Sequence, residues 1–323
     1  MKNWQKYLSL LISILAVTLL AAWPMVTGKP ADREVAFTIL KAIALASSLN
    51  IILGYTGYVS FGHIVYFGIG GYIGFYLISQ QGWSIYPSMV AGGLVSGLFA
   101  FLLGRAILRL RGAYFALATI GVNMAVLALI TNIDLLGGPI GMTLNFKVYK
   151  EYGGAAQALQ LIFYLMIAIT LITIIVSYLV RTSKFGLGLL AIREDQDAAE
   201  VMGVVAHNAK TWAYVISAIF PGIIGVLFFF KNGSIEPHPA FPLHTSIELI
   251  VMVMLGGQGT VFGPILGAAA YQRMRGLLLA SPIFKNIQLS VAGVLLLIIV
   301  LFVPAGVVGW IRNRYPKTRK VLQ

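Results

Sequence analysis

Few side chains in this sequence can do chemistry beyond packing. Four histidines, His63, His207, His238 and His244, and ten carboxylates are present, and cysteine is absent. No two histidines have metal-ligand spacing on a helix, so no metal site is expected. The lack of cysteine excludes disulfides, thiol catalysis and Cys-ligated metals. No Gly-x-x-x-x-Gly-Lys-Ser/Thr occurs, so the chain has no loop that cradles phosphates. No catalytic triad or pocket-forming carboxylate pair is recognisable either, so an enzyme is not expected. What remains is binding chemistry, and it concentrates in the stretch ILGYTGYVSFGH, residues 52–63.

That stretch packs three glycines, two tyrosines, a threonine, a serine and a histidine between two apolar runs. Glycine permits positive φ and close backbone approach. In hydrocarbon, irregular backbone persists only inside protein or beside a wet cavity. Unwound backbone and half-helix ends bind small charged solutes, N-termini favouring carboxylates and C-terminal carbonyls favouring cations. Gly54, Tyr55, Gly57, Ser60, Phe61, Gly62 and His63 are therefore candidates to line a solute path. A tight turn with glycines that allow helix packing explains the same residues. His63 reads either as a hydrogen-bonded packing residue or as a proton carrier.

The elements that must position these residues are membranous. Of 323 residues 59% are hydrophobic and 10% charged, against about 25% charged in an ordinary soluble domain. Apolar runs of roughly 20 residues match the length of a helix that crosses a bilayer. They fall at about 8–23, 35–53, 64–79, 86–104, 113–131, 157–180, 211–230, 246–256, 263–281 and 288–304. The expectation is an all-α, polytopic transmembrane bundle of eight to ten helices, one domain over 1–323. The first run could pass for a signal peptide, but the chain after it is itself membranous. An uncleaved first helix with Trp4 and Trp23 as interface anchors is the better reading.

The net charge of +13 does not point to nucleic acid, because no basic stretch carries interleaved aromatics. Lys and Arg gather in cytoplasmic loops and orient helices. With the N-terminus inside, RAILRLRG, the loop 181–210 and the tail WIRNRYPKTRK hold most of the basic residues, so both termini are expected in the cytoplasm. YQRMRG, with Arg273 and Arg275, interrupts a candidate span and reads as an interfacial helix. Lys41 lies near enough to one end of its run to snorkel. Glu248 falls near a helix start, where a carboxylate favours the dipole. Thr119, Asn123 and Ser246 are further polar residues in apolar surroundings, explained by packing or by solute contact.

LGGQGTVFGP repeats the pattern of the first glycine segment: Gly259, Val261, Phe262 and Gly263 against Gly57, Val59, Ser60, Phe61 and Gly62. Glycine-broken segments in matching places of two halves point to a transport path. The loop 181–210 contains REDQDAAEVMG, a short amphipathic helix over 193–203 that ends at Gly203, a natural C-cap. It either solvates the loop or docks into a partner.

Ala198, Ala199 and Gly203, preceded by acidic residues, are similar to the Glu-Ala-Ala-x-x-x-Gly coupling motif of bacterial ABC-importer permeases, with Asp197 in place of the Glu. More widely, GYTGYVSFGH…FGIGGY, LRLRGAYFALATI, LLGGPIGM, SKFGLGLLAIREDQDAAEVMG, SIELIVMVMLGGQGTVFGPILGA and VPAGVVG resemble, in order, permease subunits of the branched-chain amino acid uptake family, LivM type. The likeness covers about residues 45–309. It implies an inner-membrane ABC-importer permease for branched-chain or similar amino acids. It also implies partners: a LivH-like second permease or a second copy, two cytoplasmic ATPases that bind ATP and Mg, and a periplasmic binding protein. Arg193, Glu194, Asp195, Ala198, Ala199 and Gly203 would then couple to an ATPase, and this chain would carry no cofactor. Urea and short-amide permeases resemble the same family closely. A stand-alone ion-coupled transporter needs intramembrane acids, which the chain scarcely offers.

Overall fold

The computed structural model describes residues 4–280, 290, 293–294 and 306–309. The apolar run 288–304 and the basic tail of the sequence analysis lie essentially outside these residues. Within them the chain is a helix bundle. Helices α1 (Trp4–Thr27), α2 (Pro30–Thr56), α3 (Ile64–Gln81), α4 (Ile85–Ile107) and α5 (Ala113–Thr131) come first. After a one-turn helix α6 (Lys147–Lys150) come α7 (Ala155–Thr182), α8 (Lys184–Glu194), α9 (Gln196–Val201) and α10 (Ala206–Asn232). The short α11 (Pro237–Ala240), α12 (Leu243–Gly256) and α13 (Gly263–Ala280) follow. Among the described residues, seven helical spans are long and apolar enough to cross a membrane. Each of the first nine expected apolar runs is helical as far as residue 280; α3 and α13 are diluted by glycine, glutamine and arginine and fall below that apolarity.

The start and stop points follow from local chemistry. Pro30 occupies the first turn of α2, where its missing N–H costs nothing. The helix ends at Gly57, whose φ of 77° turns the chain out while its N–H reaches Leu53 O at 3.0 Å. Helix α2 is the axis of the fold, with 83% of its apolar window buried, whereas α1 and α5 are 22% and 28% buried and lie outside. The outward faces are apolar: Leu94, Leu98 and Leu102 of α4 and Leu117, Met124 and Leu129 of α5 are exposed. Their spacing puts them on hydrocarbon-facing stripes.

Helices α3, α4 and α10 form the tightest unit. Hydrophobicity does not drive helices together in lipid, so close backbone approach and polar bonds do. Gly70 of α3 packs on the backbone of Gly222 in α10, leaving no room for a side chain. Ser96 of α4 donates to Tyr66 O of α3 at 2.9 Å. On one face of the bundle, the strands β1 (Met142–Thr143) and β2 (Ser234–Ile235) pair antiparallel and tie the α5–α7 connection to the end of α10. The opposite face carries α8, α9 and both glycine turns.

Charged residues inside the bundle are paired or cushioned. Arg275 Nη1 bonds Glu248 Oε2 at 3.1 Å, the glutamate side chain being 5% exposed. Glu248 thus lies in the second turn of α12, near its start, and is bonded to α13. Arg273 and Arg275 belong to one continuous helix, α13, which falls below the apolarity of a membrane span. Lys41 stands about 16 Å along α2 from Pro30 at 1.5 Å per residue. Its Nζ lies 4.0 Å from the Phe228 ring centroid, which replaces snorkelling by a cation–π contact.

Removing Glu248 costs its charge-assisted hydrogen bond to Arg275, whose side chain is 30% exposed. Glu248→Ala is therefore expected to destabilise the bundle by about 2 kcal/mol. Glu248→Gln combined with Arg275→Met should recover part of that loss. Thermal unfolding of the two variants in detergent checks the order; equal melting of wild type and Glu248→Ala would overturn it.

Candidate functional site: a glycine junction beside two short helices

The first glycine segment begins as a turn at the exposed Gly57. After Gly57 the chain folds back into the bundle, and Ser60 and His63 are fully buried. His63 Nε2 lies 3.2 Å from Ser48 Oγ, well up α2, and its ring meets Tyr66 edge-on at 5.9 Å. The Phe61 N–H donates to Thr119 Oγ1 at 3.0 Å, and Gly62 packs on the Thr119 carbonyl. The Ile64 N–H, an orphan donor at the start of α3, is taken by Ser246 Oγ of α12 at 3.2 Å. Asn123 Nδ2 donates to Phe241 O at 3.1 Å, just before α12. Segment 60–64, Thr119 and Ser246 thus form a buried junction of α2, α3, α5 and α12, with Asn123 one turn farther along α5.

Two expected members stand apart. Tyr55 turns to α7, its hydroxyl 2.8 Å from Ser177 Oγ. Glu248 belongs with Arg275. The matching glycine segments do meet, through a residue that was not singled out from the sequence. Asn50 of α2 donates from Nδ2 to Thr260 O and accepts from the Gly259 N–H, both at 2.9 Å. An asparagine fully buried within an apolar run was the available signal, the same that marked Asn123.

The polar helix over 193–203 is two helices. Asp195 adopts φ −157° and ψ 114°, and its carboxylate accepts from the Asp197 and Ala198 N–H groups at 2.9 and 3.0 Å. It caps α9 and so ends α8, since a capping carboxylate competes with helix continuation. Gly203, with φ 90°, ends the motif as expected. Ala199 is fully buried, and its carbonyl accepts from Val204 N at 3.0 Å. It seats α9 on the bundle and leaves Glu194, Ala198 and Gly203 on the outer side. Arg193 also points inward: its Nη1 donates to Gly54 O at 2.8 Å.

Further bonds fix α9 to the bundle. Lys210, 2% exposed, donates to Tyr58 Oη at 2.7 Å, Leu108 O at 2.9 Å and Gln196 Oε1 at 3.0 Å. The three donors of the ammonium thus join α10, the end of α4, the glycine segment and α9. Burial raises the Tyr58 hydroxyl above its ordinary value, keeping it a donor to Gln196 Oε1 at 3.0 Å. A cleft of about 480 Å³ opens beside this cluster, lined by Gly57, Tyr58, Phe61, Arg111, Arg193 and Gln196 among others. No group of three or more His, Asp or Glu suited to a metal occurs among the described residues.

At the rim, Arg111 holds Asp197 in a two-pronged pair at 2.8 and 3.1 Å. The hydrogen-bonded guanidinium keeps the Asp197 carboxyl below its ordinary range. A depressed carboxylate adds stability above its unfolded pKa and loses it as pH falls through the folded value. The pair is exposed, so solvent screens it. Asp197→Asn is expected to leave thermal unfolding at neutral pH almost unchanged; a large drop would show the pair to be structural.

Exposed apolar side chains surround α8 and α9 on the outer side. Val201 is 89%, Met202 72%, Val205 63% and Leu187 62% exposed. The acidic residues Glu194, Asp195 and Glu200 flank them.

The chain has relatives of known kind. The family described as branched-chain amino acid transport system, permease component, matches residues 33–301. LivM of Salmonella typhimurium, a high-affinity branched-chain amino acid transport system permease protein, is 28% identical, covering 95% of this chain and 76% of that protein. BraD of Pseudomonas aeruginosa is 25% identical over 82% of this chain and 90% of its own length. LivH of Escherichia coli is 21% identical with the same coverage. No solved structure matches. With its bundle of membrane-length helices and a profile match over most of its length, the chain belongs to the family of branched-chain amino acid transport system permease components.

Proposed function

We propose that this chain is a translocating subunit of an ATP-driven importer for branched-chain or similar small amino acids, driven by ATPases that dock on α8 and α9. The observation that carries this is the apolar patch of Val201, Met202 and Val205. It lies on a polar segment between two membrane spans, where lipid does not cover it. Exposed apolar groups rimmed by charge mark a protein interface. The face with α8 and α9 is then cytoplasmic, and the β1–β2 face receives solute from a binding protein. The likeness to LivM of Salmonella typhimurium and to LivH of Escherichia coli supports a pore of two related subunits.

In this reading the glycine junction lies along the solute path, and ATPase closure moves α8–α9 against it. Ion coupling finds no support, since Glu248 is neutralised by Arg275. The test is copurification of the native complex on this chain, followed by uptake of leucine, isoleucine, valine and urea into liposomes. Uptake should require ATP and the ATPase subunits. Accumulation by the chain alone, without nucleotide, would overturn the proposal.

A further inference from the structure

We infer that Arg193 is a positioning residue that clamps the short helices to both glycine turns at once, so that α8, the end of α2 and the 257–262 turn move as one body. This rests on the reading of α8–α9 as the contact for the ATPases, and adds where their motion goes. The coupling residues were expected to face a partner; Arg193 faces the interior.

The geometry is specific. Gly54 O is one of the last carbonyls of α2, which lack helical partners and carry the negative end of the helix dipole. The Arg193 guanidinium reaches that carbonyl at 2.8 Å. It is also hard against the second turn: a methyl group on Gly259 would lie 2.5 Å from Arg193 Nη1 and 2.9 Å from Gly54 O. A methyl group on Gly54 would in turn lie 2.6 Å from Gly259 N. Asn50 closes the assembly by holding Gly259 and Thr260 at 2.9 Å from the body of α2. Three segments far apart in sequence therefore meet at one guanidinium, and glycine at 54 and 259 is what lets them.

A displacement of α8 pulls on the end of α2 through the Gly54 carbonyl, and Asn50 carries that pull to the 257–262 turn. The turns lead directly into the junction: 57–63 supplies Phe61, Gly62 and His63, and 257–262 joins α12, which carries Ser246. The clamp thus supplies a mechanical route from the outer helices to the buried site. The planar guanidinium suits it because Nη1 bonds the Gly54 carbonyl while lying flat against Gly259; a lysine lacks that flat face.

The test uses the native complex in liposomes and reads solute moved per ATP hydrolysed. Arg193→Gln is expected to lower that ratio tenfold or more while ATP hydrolysis stays within about threefold of wild type. Arg193→Lys should restore part of it. A merely structural role lowers the amount of complex and leaves the ratio unchanged, and that outcome overturns the inference. A second measurement keeps Arg193 in place. The native chain has no cysteine, so Lys184→Cys and Gln258→Cys can carry spin labels. Their separation should stay the same in nucleotide-free and ATP-bound states, and independent movement by several ångströms overturns the clamp. Loss of ATP-dependent uptake in the unmodified complex would instead defeat the importer reading itself.

Discussion

Replacing Gly62 by valine is expected to abolish uptake by the assembled complex, by tenfold at the least. Gly62 lies against the backbone of Thr119, where its α-carbon faces the carbonyl and a methyl group would lie 3.3 Å from the Thr119 Cβ. An isopropyl group must push α5 away. Overpacking of this kind costs about 1–3 kcal/mol, which a bundle of this size survives. The transport effect is larger because the displaced groups are the junction itself. The Phe61 N–H loses Thr119 Oγ1, and the Ile64 N–H shifts from Ser246 Oγ. Gly62→Ala should lie between wild type and valine. The measurement is uptake normalised to copurified complex; a normal rate for Gly62→Val would remove the glycine segment from the path.

Met202→Glu is expected to strip the ATPase subunits from the complex. Met202 is 72% exposed, and surface changes usually alter folding by less than about 0.5 kcal/mol. Any large effect is then on association. A central apolar side chain of an interface is worth about 2 kcal/mol or more, some thirtyfold in affinity, and a charge buried in its place costs further. Copurification on the chain should therefore lose ATPase while the chain itself elutes and melts as wild type. Retention of the ATPases would move their docking site elsewhere. Ala199→Arg should behave differently. That residue is fully buried, so an arginine pries α9 from the bundle and lowers the melting temperature along with coupling. The contrast separates the two sides of one short helix, which the sequence motif alone treats as one.

The membrane helices were legible because their signal is local. Each needs only about 20 apolar residues in a row, and the helical segments fall where those rows lie. Gly203 and Gly57 ended helices as their type predicts. The break at Asp195 was not foreseen, although it is local too. REDQDAAEVMG consists of helix formers, and the capping carboxylate prevailed over propensity. Tyr55 shows a different limit. Its neighbours in sequence belong to the glycine segment, but helical rotation turns its ring to Ser177 of α7. Position on a helix face, and not position in the chain, decided its partner.

The sequence by itself determined that this chain is a membrane helix bundle, that glycine breaks it in two similar places, and that a polar segment with the look of a docking element leaves it. These are properties of composition and short-range pattern, set by the exclusion of polar backbone and charge from hydrocarbon. Only the tertiary structure decided that the two glycine breaks lie side by side, that Asn50 fastens one to the other, and that Arg193 reaches a carbonyl 139 residues away. Such contacts depend on how whole helices pack, and a donor in the sequence carries no mark of which distant acceptor that packing will bring within 3 Å.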